Sequence, residues 1–317
     1  MQAALAEHVT NEDEGIVAHT GELIALRHAA RGLAPGAPTR VASALAGPYL
    51  SPFRGRGLDF EEVRSYQAGD DVRNIDWRVT ARTGRVHSKV FHEERERPVW
   101  ILLDLGPSMH FGTRVAFKSV VAARAAALIA WSARDAGDRV GALVCSPVSL
   151  SVWPPASREN HLLRILAAIS KATCAEPGDA GACMRTALER LREQVRAGSR
   201  VIVLSDFYDF GAAWQQPLAH IARRSQVSCV LVADRLETEA PRPGRYRISD
   251  GTNVRSITTS AHSRSAFARD FEERRARLAD FCRGRGVDLH DLRTDDDVVA
   301  CLAGVLNGAG RRASRRA

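Results

Sequence analysis

A doubly wound, mostly parallel α/β sheet with one antiparallel edge and a smaller N-terminal lobe is the fold this sequence predicts. Three observations carry that expectation. From residue 98 onward, short β-rich apolar runs alternate with helical periodicity, the pattern of a parallel sheet covered on both faces. Two of the runs are separated only by Pro147 and Val148, so they form a hairpin and turn one edge antiparallel. Two runs end in aspartate, Asp104 and Asp206, at the carboxyl ends of strands where ligands collect in such sheets.

The elements follow in order. The first 98 residues hold a helical pattern around 14–31, a Pro/Gly-rich link at 32–38, and a charged segment ending in the alternating strand "RVHSKVFHEE". This part has too few apolar residues for a sizeable core of its own and is expected to pack on the α/β domain. Strands are predicted at 99–105, 139–146, 149–154, 200–206, 227–234 and 287–292, with helices near 113–136, 157–172, 181–197, 211–225, 263–284 and 295–308. The helix near 263–284 sets Phe267, Phe271, Leu278 and Phe281 on one stripe and Arg269, Glu272, Arg275 and Arg277 off it. Residues 236–262 break the alternation and read as a loop with a small hairpin. The expected organisation is a lobe at 1–97, the α/β domain at 98–308 and a basic tail at 309–317.

Composition narrows the classes of function. Within 317 residues, 45% hydrophobic content is ample for a globular core. The start, "MQAALAEHVTNEDEG", is polar and acidic, unlike a secretory signal, and the stretch "VVAARAAALIAWSA" falls short of the roughly 20 residues a membrane span needs. A soluble, cytoplasmic protein is expected. Cys145, Cys174, Cys183, Cys229, Cys282 and Cys301 include no Cys-x-x-Cys pair and read as reduced core thiols. The formal charge of +8 owes much to the tail "GRRASRRA". No aromatic residues interleave with its arginines and no nucleic-acid module is present, so a solvated tail is the preferred reading over nucleic-acid binding.

Two segments could carry chemistry. In "LLDLGPSMHFG" a strand reaches Asp104, turns through Gly106 and Pro107, and presents Ser108. If the strand order is 3-2-1-4-5-6, Asp104 and Asp206 face one another across the crevice where connections reverse. Asp104, Ser108 and Asp206 could then offer oxygens to a hard cation such as Mg²⁺. Equally, both aspartates could cap helix N-termini by accepting backbone N–H bonds. Gly-x-Ser-x-His also approaches a hydrolase nucleophile elbow, with Asp206 and then His220, His262 or His290 in hydrolase order; His110, where a small residue is required, speaks against it. The second segment, "RSYQAGDDVRNIDWRVTARTGR", crowds Asp70, Asp71, Arg73, Asp76 and Arg82 around Trp77. It reads either as a turn with a short helix capped by Asp71, Trp77 buried and ion pairs around it, or as a recognition surface built from the same groups. The Gly-rich "RGRGLDFEE" lacks the strand and helix of a phosphate-binding loop.

Together, "GRGLDFEEVRSYQAGDDVRNIDWRVTAR" and "VFHEERERPVWILLDLGPSMHFG" resemble the signature of domain-of-unknown-function family fifty-eight, from about Gly55 through "VLSDFYDF" to "LVADRLE". The resemblance implies a von Willebrand factor A-like domain in a non-catalytic protein-interaction module. Its implied role is adaptor to a MoxR-type AAA+ ATPase in maturing or activating a client protein complex. It also implies a metal-ion-dependent adhesion site in degenerate form. Asp104 and Ser108 match the first and last members of its Asp-x-Ser-x-Ser turn, and Asp206 matches its distant aspartate. Gly106 stands where the first serine belongs. In the loop "EPGDAGACMRTAL", Asp179, Gly181 and Ala182 stand near the slot of the ligand threonine, with Thr186 deeper in the helix. Lacking two hydroxyl ligands, the site is expected to hold Mg²⁺ weakly or no cofactor at all. The alternatives are a working metal-dependent adhesion module and a hydrolase using Ser108. Asp70, Asp71, Arg73, Asp76, Trp77 and Arg82 form the expected protein-binding surface.

Overall fold

The structure, a computed structural model, describes residues 15–33, 58–67, 72, 75–93, 96–175, 181–239, 241–249 and 254–306. In chain order these form α1 (Thr20–Ala25), α2 (Arg27–Ala30), β1 (Leu58–Ser65), α3 (Trp77–Thr83), β2 (His87–Glu93), β3 (Pro98–Asp104), α4 (Lys118–Asp135), β4 (Arg139–Cys145), β5 (Leu150–Ala156), α5 (Glu159–Thr173), α6 (Gly181–Gln194), β6 (Arg200–Ser205), α7 (Ala212–Ala222), β7 (Gln226–Ala233), α8 (Arg235–Thr238), β8 (Gly244–Ser249), β9 (Val254–Thr259), α9 (Ala261–Arg285), β10 (Asp288–Arg293) and α10 (Val298–Leu306).

The chain divides into two compact units, Met1–Thr39 with Arg97–Ala317, and Arg40–Glu96. In the smaller unit, β1 pairs antiparallel with β2 from Leu58↔Glu93 to Ser65↔His87, and Ile75 bridges to Ser88. Strand β1 is an element the sequence did not predict, in a stretch that reads as part of a charged segment. Helix α3 begins where the Asp76 carboxylate accepts the N–H groups of Arg78 and Val79 at 3.0 and 3.1 Å, and it ends at Gly84 in the left-handed conformation, φ 69°.

The larger unit holds a six-stranded sheet in the order β10-β7-β6-β3-β4-β5. All pairs are parallel except β4 with β5. This is the expected doubly wound sheet: the chain leaves β3 toward β4 and β5, then returns to β6 on the other side of β3. The apolar runs are buried along nearly their whole length because helices cover both faces. One layer packs α4, α5 and α10 against the sheet, and the other packs α6, α7 and α9. The hairpin β8–β9 stands apart as its own two-stranded sheet.

Helix α4 is buried almost all round, from Lys118 through Ala133 except at Arg124. Such a helix needs covering on its outer side, and the segment around α1 and α2 supplies the cover. Ala18, Leu23, Ala30 and Leu33 join the core, the Trp131 indole N–H donates to the Leu23 carbonyl at 3.1 Å, and the Arg27 guanidinium lies 5.2 Å above the Trp131 ring. The expected lobe at 1–97 is therefore drawn differently: its helical part belongs to the larger unit, as two short helices instead of one at 14–31.

Candidate functional site

Strands β7, β6 and β3 are adjacent and parallel, so their carboxyl ends come out side by side. Each leads into an aspartate. Asp104 closes β3, Asp206 follows β6 and Asp234 follows β7; they are 7%, 2% and 0% exposed. The third of these was missed, although "VLVAD" carried the same strand-end signal as "VLSD".

The backbone holds the carboxylates rigidly. After Asp104, the Leu105 N–H donates to the Cys145 carbonyl at 2.8 Å and Met109 is buried in the core beneath the turn. At Gly112 a Cβ would collide with the Ala116 carbonyl, so only glycine lets the loop double back. The Lys118 N–H then donates to the Phe111 carbonyl at 2.8 Å, starting α4 directly over the strand ends. After Asp206, Phe207 adopts φ 50°, a conformation costly for a bulky residue. Its fully buried ring, 5.5 Å from Trp214 and 5.9 Å from Phe210, holds it there.

Every oxygen of the carboxylates gathered here accepts a hydrogen bond. Asp104 accepts the Gly106 N–H at 2.9 Å and the Ser205 hydroxyl at 2.6 Å. Asp206 accepts the Tyr208 N–H at 3.1 Å and the Lys118 ammonium at 2.8 Å. Lys118 also donates at 2.8 Å to Glu237, whose other oxygen accepts the Asp234 N–H at 2.9 Å. Asp234 accepts the Thr113 and Thr294 hydroxyls, both at 2.7 Å, and the N–H groups of Leu236 and Thr113 at 2.8 and 3.0 Å.

The electrostatics follow from this pairing. Burial, helped by the charge of Asp206, pushes the Asp104 carboxyl up to about 6 against the bonds from Ser205 and Gly106. Burial would lower the Lys118 ammonium, but Asp206 and Glu237 outweigh it and leave its pKa raised. Burial would likewise raise Asp234, and its bonds to Thr294, Thr113 and Leu236 hold it below the ordinary range.

The sequence-predicted residues fare differently. Asp104 and Asp206 do converge, and both accept local N–H groups, but within tight turns and not as helix caps: Phe117 and Gly211 precede α4 and α7. The helix-capping aspartate of the group is Asp234, whose capping box with Glu237 opens α8. Ser108 is half-buried on the same turn, and the His110 Nδ1–H donates to the Gly106 carbonyl at 3.1 Å. Thr186 lies in α6, while Asp179 and its loop at 176–180 fall outside the described residues. Lys118, Ser205, Thr113, Thr294, Asp234 and Glu237 were not anticipated. Lys118 did leave a signal: a cation at the positive end of a largely apolar helix is misplaced unless a carboxylate meets it.

A divalent ion needs free oxygen lone pairs in near-octahedral array. The residues here do not fit one as they stand, because the Lys118 ammonium already sits on Asp206 and Glu237 and supplies the positive charge an ion would bring. Among the described residues no group of three or more His, Cys, Asp or Glu is arranged to hold a metal ion.

In the second segment, Asp70, Asp71 and Arg73 lie outside the described residues. Asp76 caps the short helix α3. Trp77, read either as buried or as part of a displayed surface, is 67% exposed, and Arg82 on the same helix α3 is exposed as well. The thiols are free; Cys145, Cys229 and Cys282 are buried, Cys183 and Cys301 half-buried, and Cys174 exposed, contrary to a core position for all six. Among the described residues no helix is long and apolar enough to cross a membrane.

Comparison with known proteins follows the same chain. It is 34% identical over 261 residues to the uncharacterized protein Mb1516 of Mycobacterium bovis, covering 81% of each chain, and equally to the uncharacterized protein Rv1480 of Mycobacterium tuberculosis. Among solved structures, the conserved hypothetical protein BatB of Bacteroides thetaiotaomicron aligns with a TM-score of 0.42 at 19% identity, over 67% of this chain and 97% of that one. Residues 62–277 match the family described as "Protein of unknown function DUF58", and the chain belongs to that family.

Proposed function

We propose that this chain is a non-catalytic protein-interaction module of the von Willebrand factor A-like kind. In this reading it works in the cytoplasm as adaptor to a MoxR-type AAA+ ATPase that matures or activates a client protein complex. The observation that carries it is the character of the crest, the loops at the carboxyl ends of β3, β4 and β6. Val115, Val148 and Tyr208 on those loops are 61%, 76% and 61% exposed, while the carboxylates beneath them are committed to internal bonds. An apolar rim over a polar floor whose carboxylates are bonded internally offers a partner surface to bury. The Arg274 guanidinium, 5.1 Å over the Tyr208 ring, adds a cationic edge to the rim. The partner class rests on the family resemblance. The hydrolase alternative gains no support from Ser108, which among the described residues has no hydrogen bond to an imidazole.

The test is binding to the MoxR-type ATPase of the same genome, measured by calorimetry. Val148→Asp with Tyr208→Ala is expected to weaken binding at least about tenfold, as loss of an aromatic anchor does, with the melting temperature unchanged. On α3, Trp77→Ala with Arg82→Glu examines the second exposed surface. Unchanged affinity in both double variants, or no binding by the unaltered chain, would sink the proposal.

A further inference from the structure

We propose that the ammonium of Lys118 is the resident cation of the crest, filling the place of the divalent ion that the family resemblance implies and making the architecture of the site independent of metal. The first support is placement. Lys118 opens α4, is 1% exposed, and is set in a helix whose other buried residues are apolar or serine. A lysine there gives up its hydration and faces the positive end of the helix dipole, so its position is sustained only by the charges it meets. It meets two carboxylates from different loops, Asp206 after β6 and Glu237 in α8, each at 2.8 Å. Through the Glu237 bond to the Asp234 N–H the link reaches the end of β7, and its charge is also felt at Asp104, the end of β3.

The second support is the state of the oxygens. A divalent ion entering this crevice would compete with Lys118 for Asp206 and with Ser205 for Asp104, and would lie near a buried ammonium of like charge. The ring of Phe111, centred 5.9 Å from the Lys118 nitrogen, covers that nitrogen with an electron-rich face. One tethered ammonium thus joins the end of β6 to α8 and, through Glu237, to the end of β7, as a bound ion does by coordination. It cannot be removed by chelators, and its effective concentration does not depend on the solution.

The proposal is tested with Mn²⁺ and ethylammonium as probes on the full chain. The unaltered protein is expected to show no Mn²⁺ binding by electron paramagnetic resonance and no shift in melting temperature with either cation. Lys118→Ala, which leaves space and uncovers Asp206 and Glu237, is expected to melt lower and to regain at least about 2 °C with Mn²⁺ or ethylammonium. That gain should vanish in Lys118→Ala with Asp206→Asn. Lys118→Met, which fills the space with an apolar chain, should respond to neither. Mn²⁺ binding by the unaltered chain that is lost in Asp206→Asn overturns the proposal. So does a Lys118→Ala or Lys118→Ser protein that gains nothing from either cation. Failure of both truncations to fold even with a cation supplied counts against it equally, because the proposal requires that a cation from solution can stand in.

Discussion

Two buried aspartates, one strand apart from a common neighbour, titrate in opposite directions, and the difference lies in their donors. Asp104 has two hydrogen bonds and the like charge of Asp206 nearby; Asp234 has four and a helix N-terminus. With its carboxyl raised from 3.8 to about 6, folded Asp104 holds a proton between those values that the unfolded chain has lost. The contribution of this group to stability therefore falls as pH rises through that window, by up to about 3 kcal/mol at 1.36 kcal/mol per unit. Asp104→Asn is expected to remove that slope; urea unfolding at pH 4.5 and 7 checks it, and parallel losses in both proteins would refute it. For Asp234 the sign reverses: its contribution is present above the unfolded carboxyl value and is lost as pH falls through the lower folded one. Asp234→Ala leaves the buried Thr294 hydroxyl, the Thr113 hydroxyl and two N–H groups without their acceptor, and should cost about 3 kcal/mol in denaturant unfolding. Asp234→Asn, which retains one acceptor oxygen, should cost less.

At the scale of elements, α4 and the α1–α2 segment depend on each other. A helix with alanine at so many positions lets the sheet and neighbouring helices approach closely, yet it buries too little on its own if one side faces water. Leu23, fully buried against it, and Ile24, 38% exposed, sit next to each other in α1 and separate the two contributions. Leu23→Ala is expected to destabilise by about 3 kcal/mol through the cavity it opens, and Ile24→Ala by under about 1 kcal/mol. Chemical unfolding of the two variants measures this; equal effects would mean that the segment does not pack as a cover. The same dependence explains why the helical pattern at 14–31 splits. The segment follows the surface of α4 and α5, with the Ala18 N–H reaching the Thr173 hydroxyl at 3.2 Å, and does not run on as one rod.

For the whole molecule, the order of strands decides where chemistry gathers, and the larger unit needs both of its sequence-distant parts. A chain lacking residues through Leu33 would expose the outer side of α4 and is expected to lose cooperative thermal unfolding and to bind a hydrophobic dye; a sharp transition without dye binding would contradict this. By itself the sequence determined the alternation of buried strands and helices, the antiparallel edge at Pro147 and Val148, and the aspartates at two strand ends, because these are signals of local period and local turn. It did not reveal β1, whose partner lies in β2, nor the exposure of Trp77, since a tryptophan among arginines reads the same whether buried or displayed. It did not reveal Ser205 on Asp104 or Lys118 on Asp206 and Glu237, contacts spanning 101, 88 and 119 residues. Such pairings exist only once β3, β6 and β7 lie side by side. Whether a carboxylate at those strand ends meets an ion from solution or a lysine of its own chain was decided by the tertiary structure, because burial and charge pairing depend on distance in space and not on spacing along the chain.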